Sequence, residues 1–137
     1  MKPFWEDEYL NKEKSTFGNP SKEVKEFIPY LKKDAKILDV GCGDGRHALY
    51  LASLGFQVDA FDLSKNAIEK IDYLKQKNNL NIHTWVCDVL DYPFRYSYDL
   101  IIVHGVLQFI DKTKQPQVIE LLKKWTNVNG YHVIALF

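Results

Sequence analysis

The spacing of apolar positions changes period several times along this chain. From Ser21 to Lys33, Val24, Phe27, Ile28 and Leu31 recur at i, i+3, i+4 and i+7, the pattern of one helix face. Pro29 lies inside that pattern and is expected to kink or split the helix, because it lacks an N–H and clashes with the preceding turn. Lys36 to Gly41 reads as a first strand. A helix opening at Gly45 turns Ala48, Leu51 and Ala52 inward until Gly55 stops it. FQVDAFD, residues 56–62, is the second strand. Ser64 is placed to cap a helix with Ile68, Ile71 and Leu74 or Lys75 along one side, and Asn78 and Asn79 break it. IHTWVCD, 82–88, is the third strand, and YPFRYSYD is a turn-rich link. DLIIVHG, 99–105, is the most continuously apolar run, as expected of a central parallel strand covered on both faces. Val118, Leu121, Leu122 and Trp125 repeat the helical spacing, Asn129 and Gly130 turn the chain, and YHVIALF, 131–137, is the fifth strand.

Strands alternating with helices at these intervals imply right-handed crossovers, and so an α/β, doubly wound parallel sheet with helices on both faces. There is no internal repeat, low-complexity tract or domain linker. In such a sheet ligands bind beyond the carboxyl ends of the strands at the topological switch point, here the loops after strands one and four.

Composition narrows the picture. At 137 residues and 46% hydrophobic, the chain suits one domain able to bury roughly two thirds of its unfolded surface. Eighteen basic residues balance eighteen acidic ones, and Arg46 and Arg95 are the only arginines. No footprint for a polyanion results, so nucleic acid is not an expected partner. No run of 18 apolar residues and no signal-peptide core is present, so the expectation is a cytosolic protein with no membrane partner. Cys42 and Cys87 are too few for a disulfide framework and are not spaced as a metal site. They are placed at the ends of strands one and three, about 10 Å apart at roughly 4.8 Å per strand, too far to bridge.

The loop after the first strand reads Gly41-Cys42-Gly43-Asp44-Gly45-Arg46. A dinucleotide fingerprint would want glycine where Arg46 stands. Asp39 and Asp44 flank the turn, and two carboxylates would repel a pyrophosphate otherwise suited to a helix N-terminus. A cationic ligand without phosphate, such as S-adenosylmethionine, fits better; the plain alternative is a glycine turn that only packs strand to helix. Asp62 ends strand two, where a carboxylate can accept both ribose hydroxyls. Asp88 ends strand three, where it can accept an adenine amino group beside the Val89 N–H, or simply cap a turn.

The set LDVGCGDG, AFDLS, CDVLD and YDLIIVHGVLQF resembles class I S-adenosylmethionine-dependent methyltransferases over about residues 20–137. GCGDGRHALYLASLGFQVDAFD and NLNIHTWVCDVLDYPF most resemble the TehB-type tellurite-resistance methyltransferases. The resemblance implies a Rossmann-like sheet ordered 3-2-1-4-5. It implies that Asp39, Gly41, Cys42, Gly43 and Gly45 hold the methionine end, Asp62 and Leu63 the ribose and adenine edge, and Asp88 and Val89 the adenine. The backbone at Val103 and His104 would meet the methionine amine or the methyl group. The family fold has seven strands ordered 3-2-1-4-5-7-6, so the chain is expected to be truncated before strands six and seven. Some of the family's substrate contacts would go with them.

The implied reaction is methyl transfer to a small acceptor, possible acceptors being tellurite, selenite or a thiol, with no metal. A soft anionic nucleophile needs little base help; an oxygen or nitrogen nucleophile would need more, and His104 is then the candidate base. Arg46 is placed to attract an anionic substrate or the cofactor carboxylate, or to form a surface ion pair. His83 and His132 are read as structural, and His47 as solvent-exposed. The aromatic N-terminal segment, residues 1–18, is read either as a lid that brings Trp5 or Tyr9 to the ligand or as a frayed end, with residues 19–137 the cofactor-binding domain. A non-catalytic S-adenosylmethionine-binding fragment and an NAD-dependent oxidoreductase are the alternative functions. Strand five would be an uncovered edge, inviting a homo-oligomer.

Overall fold

The computed structural model describes residues 2–136. Met1 and Phe137, the first residue of the N-terminal segment and the last of the expected fifth strand, lie outside them. Five strands form one parallel sheet: β1 (Lys36–Val40), β2 (Gln57–Asp62), β3 (Ile82–Val86), β4 (Tyr98–His104) and β5 (Thr126–Ala135), in the order β3-β2-β1-β4-β5. Five helices accompany it: α1 (Phe4–Glu8), α2 (Lys22–Phe27), α3 (Arg46–Ser53), α4 (Lys65–Lys77) and α5 (Gln115–Lys124).

Alternate strand residues feed two cores, because successive side chains point to opposite faces. Ile37, Val58, Ala60, Leu100 and Ile102 pack against Val24 of α2, Leu51 of α3 and Ile71 of α4. On the opposite face Leu38, Val40, Phe61, Ile101 and Val103 meet Val118 and Leu122 of α5. The link after β3 covers part of that second face with aromatic rings, Tyr92 stacking on Phe61 of β2 at 4.5 Å and meeting Trp85 of β3 edge-on at 5.2 Å.

Local chemistry sets the boundaries. Pro29 splits the predicted first helix into α2 and a 3-10 turn over Ile28–Tyr30, as its missing N–H requires. Ser64 caps α4, its hydroxyl accepting from the Ala67 N–H at 3.1 Å. β3 is shorter than the sequence suggests. It ends at Val86: the Cys87 N–H still donates to the Asp62 carbonyl of β2 at 3.1 Å, and Asp88 then caps a 3-10 turn over Val89–Asp91.

The largest departure is β5, which begins at Thr126 rather than Tyr131. The Asn129–Gly130 turn is an irregularity within the strand: Tyr98 pairs with Thr126 and Leu100 with Tyr131, so the segment between loops out. Asn129 takes φ 68° there. The Asn127 side-chain amide donates to Asp99 Oδ1 at 2.8 Å, and a Cβ on Gly130 would lie 2.9 Å from the Asn127 carbonyl oxygen. Only glycine fits beneath the loop.

Candidate ligand cleft

β1 and β4 are neighbours whose connections leave in opposite directions, so a crevice must open at their carboxyl ends. A cleft of about 810 Å³ lies there, bounded by the loops after β1, β2, β3 and β4 and by the N-terminal segment.

The glycine turn forms its floor. Gly41, Gly43 and Gly45 all have positive φ, at 61°, 57° and 89°. A Cβ on Gly41 would lie 2.6 Å from Val106, and one on Gly43 would lie 3.1 Å from the Tyr9 hydroxyl. Gly45 serves differently from its neighbours. It caps α3, a Cβ there would strike Ile71 at 2.8 Å, and it does not line the cleft.

Asp62 organises the turn from the end of β2. Its Oδ2 accepts from the Gly43 N–H at 2.8 Å and its Oδ1 from the Ser64 N–H at 2.8 Å, while burial raises its pKa. Asp62 also lines the cleft. Asp39 is only 2% exposed, and its Oδ2 has no hydrogen-bond partner. Burial, with the Asp62 charge second, pushes its pKa up to about 7 against the pull of Arg46 and the Ala48 N–H. A cation or a donor entering beside Asp39 meets a carboxyl group in need of one.

Asp44 corrects the sequence reading. It does not face the cleft: its Oδ2 accepts from Lys70 Nζ at 2.8 Å and from the Thr16 N–H at 2.7 Å. Its charge is neutralised inside the protein. Asp39 and Asp62 line the cleft, as do Glu6, Asp88 and Asp111, and Asp44 does not.

Arg46 and His104 meet across the cleft. Arg46 Nη2 donates to His104 Nδ1 at 3.1 Å, and Nη1 donates to the carbonyls of Phe17 and Asn19 at 3.3 and 3.2 Å. Only the imidazole tautomer with bare Nδ1 can accept this bond. The other nitrogen, Nε2, faces Glu23 Oε2 at 3.8 Å. Burial, then the Arg46 charge, lowers the His104 pKa. His47 is buried rather than solvent-exposed, at 4%. It accepts from the Ser21 N–H at 3.1 Å and packs edge-on against His104, which fixes the start of α2 against α3. Burial pushes its pKa down to about 3. His83 is on an exposed face of the edge strand, 3.4 Å from Asp59, and His132 bonds Thr126.

The N-terminal segment closes one side. Glu6 Oε1 accepts from Ser64 Oγ at 2.8 Å and from the Asn66 amide at 2.9 Å. Tyr9 is buried over Gly43, and burial followed by the Asp62 charge raises its pKa, so its hydroxyl stays protonated. Trp5 contacts Phe17 and Phe109.

Of the residues singled out from sequence, Tyr9, Asp39, Gly41, Cys42, Gly43 and Arg46 line the cleft, as do Asp62, Leu63, Asp88, Val89 and His104. Val103 is not among them: its side chain is fully buried on the α5 face, and the expectation concerned its backbone rather than its side chain. Glu6 and the loop after β4, with Val106, Gln108 and Phe109, were not anticipated as site residues. The switch-point rule named that loop, but its apolar residues carried no chemical signal. Cys42 and Cys87 are both free thiols, with burial pushing Cys87 up to about 11. Among the described residues no cluster could hold a metal, and no helix is long and apolar enough to cross a membrane.

A 3-2-1-4-5 parallel sheet with a glycine turn after β1, an acid ending β2 and another just after β3 is the Rossmann-like methyltransferase fold. Residues 4–136 match the family model for tellurite resistance protein TehB, and the chain belongs to that family. A curated TehB from Haemophilus influenzae, described as a probable S-adenosyl-L-methionine-dependent methyltransferase, is 39% identical over 100 residues, which are 73% of this chain and 35% of that protein. The crystal structure of Haemophilus influenzae TehB superposes with a TM-score of 0.80 at 34% identity, covering 93% of this chain and 44% of the other. Rickettsia typhi PKMT2, solved in complex with AdoHcy, gives 0.68 at 30% identity over 74% of this chain and 20% of its own. The chain thus spans about a third of the length of the curated TehB relatives it matches.

Proposed function

We propose that this chain binds S-adenosylmethionine in the cleft and forms the cofactor-binding part of a methyltransferase acting on a small acceptor. The observation that carries this reading is the pairing of Asp62, held by the Gly43 and Ser64 N–H groups, with Asp39, whose buried Oδ2 has no partner. Asp62 would accept the ribose hydroxyls, and Leu63 and Val89 would flank the adenine with Asp88 near its amino group. Asp39 would hold the ammonium of the methionine chain over Gly41 and Gly43, where a Cβ at either position would intrude on the space. The relatives described as S-adenosylmethionine-dependent methyltransferases, and the AdoHcy-bound PKMT2, support the same assignment.

When bound, the cofactor supplies an electrophilic methyl group on a sulfonium. The residues of this chain would then position it, exclude water through the N-terminal segment acting as a lid, and present Arg46 to an anionic acceptor. With its Nδ1 lone pair turned to Arg46 and its pKa lowered, His104 is poorly disposed to remove a proton. An acceptor that is already an anion at neutral pH suits this site: a reduced tellurium, selenium or sulfur species rather than an alcohol or amine. Alignment would then supply most of the rate enhancement.

Calorimetric titration of S-adenosylhomocysteine into the folded chain tests the core of the proposal. One-site binding that is lost in Asp62→Ala supports it; a folded chain that takes up no ligand overturns it. Methyl transfer from labelled cofactor to tellurite, selenite and thiols then tests the acceptor class.

A further inference from the structure

Three aromatic rings gather at the glycine turn, and the reading above gives none of them a task of its own. Phe17 approaches Gly43, its ring 3.8 Å from where a Cβ would sit. Trp5 packs on Phe17 with ring centroids 6.4 Å apart, and on Phe109 at 5.8 Å with the two planes inclined by 64°. One segment before α2 and one loop after β4 therefore meet ring to ring above the stretch where the methionine chain would run.

The faces of these rings are not equivalent. Phe17 already carries the Arg46 guanidinium, 5.9 Å from its centroid. Trp5 and Phe109 both line the cleft and form an open corner. Phe109 is 69% exposed, so its ring is accessible from the cleft. Aromatic faces are negative, and a corner of two rings attracts a weakly hydrated onium ion more than a neutral group of the same shape.

We propose that the Trp5–Phe109 corner recognises the sulfonium of the methyl donor, so that the cleft distinguishes the charged donor from the neutral thioether product. The inference rests on the cofactor reading above. It predicts that the corner adds affinity for S-adenosylmethionine that S-adenosylhomocysteine cannot use, and that methyl transfer itself loosens this contact.

The test measures the dissociation constants of both compounds by calorimetry for the wild-type chain, Trp5→Leu and Phe109→Leu. Leucine keeps an apolar side chain and removes the ring face. Neither position threatens the fold, since α1 has no buried residue and Phe109 is exposed. Leu63→Ala on the adenine side is the control and is expected to weaken both ligands alike. In each ring variant the affinity for S-adenosylmethionine should drop about threefold to thirtyfold relative to that for S-adenosylhomocysteine. Equal losses for the two ligands, or no loss, overturn the sulfonium assignment while leaving the cofactor site intact. If neither compound binds the folded wild-type chain, the cofactor reading itself fails, and this inference with it.

Discussion

Lys70 of α4 and Asp44 of the glycine turn lie 2.8 Å apart, each side chain only 1% exposed. The same ammonium donates to the Lys14 carbonyl, and the same carboxylate accepts from the Thr16 N–H, so one buried ion pair ties the N-terminal segment to the cleft floor.

Breaking that pair from one side leaves a buried charge without compensation. Lys70→Met is expected to cost about 3–5 kcal/mol of stability, measured by urea unfolding. The variant should also release the strap, so limited trypsin digestion should cut faster at Lys12 and Lys14 than in the wild type. A loss below about 1 kcal/mol, the level of an exposed pair, would contradict the burial described.

Stability should respond to pH in opposite directions at Asp39 and His47. Native Asp39 titrates at about 7 against an ordinary 3.8, so from about pH 4 to 7 the folded chain keeps a proton that the unfolded chain has lost, and stability falls as pH rises. Native His47 titrates at about 3 against 6.5, so the unfolded chain protonates first and stability falls as pH drops through that window. Each slope reaches at most about 1.4 kcal/mol per pH unit, and the two oppose one another over their shared range. Urea midpoints between pH 4 and 6.5 should therefore rise with pH more steeply in Asp39→Asn than in the wild type, and less steeply in His47→Gln. Variants parallel to the wild type would refute the assignment of both groups.

If the acceptor arrives as an anion, His104 has no proton to remove. His104→Gln should then change the methyl-transfer rate on a thiolate or reduced chalcogen acceptor by less than about tenfold, against the 10²–10⁴ loss typical of a missing general base. The pH profile should follow the ionisation of the acceptor. A new dependence on an enzyme group near neutrality, abolished by the substitution, would restore His104 as the base.

Gly41→Ala must place a methyl 2.6 Å from Val106 and hold φ at +61°. The expected result is roughly tenfold weaker binding of S-adenosylhomocysteine, from strain of about 1–2 kcal/mol. Val106→Ala in the same chain should recover part of the loss by removing the obstructing methyls. Unchanged affinity in the single variant would mean that the turn does not touch the ligand.

The sequence by itself determined the strand and helix alternation, the parallel sheet and the acids at the strand ends. These follow from side-chain period, helix breakers and the rule that ligands gather where strand order reverses, all of which act over a few residues. The 3-10 turn at Pro29 and the Ser64 cap are of the same local kind. The direction of Asp44 was not legible. A carboxylate beside a glycine turn looks the same in sequence whether it faces a ligand or a lysine 26 residues away. Nor could sequence place His47 in the interior, start β5 at Thr126, or bring Trp5 to Phe109, because each depends on which surface the folded chain lays against which. Tertiary packing alone decided which charges were neutralised and which, like Asp39, were left facing the cleft, since the cost of burying a charge is set by the partners that the fold brings within hydrogen-bond reach.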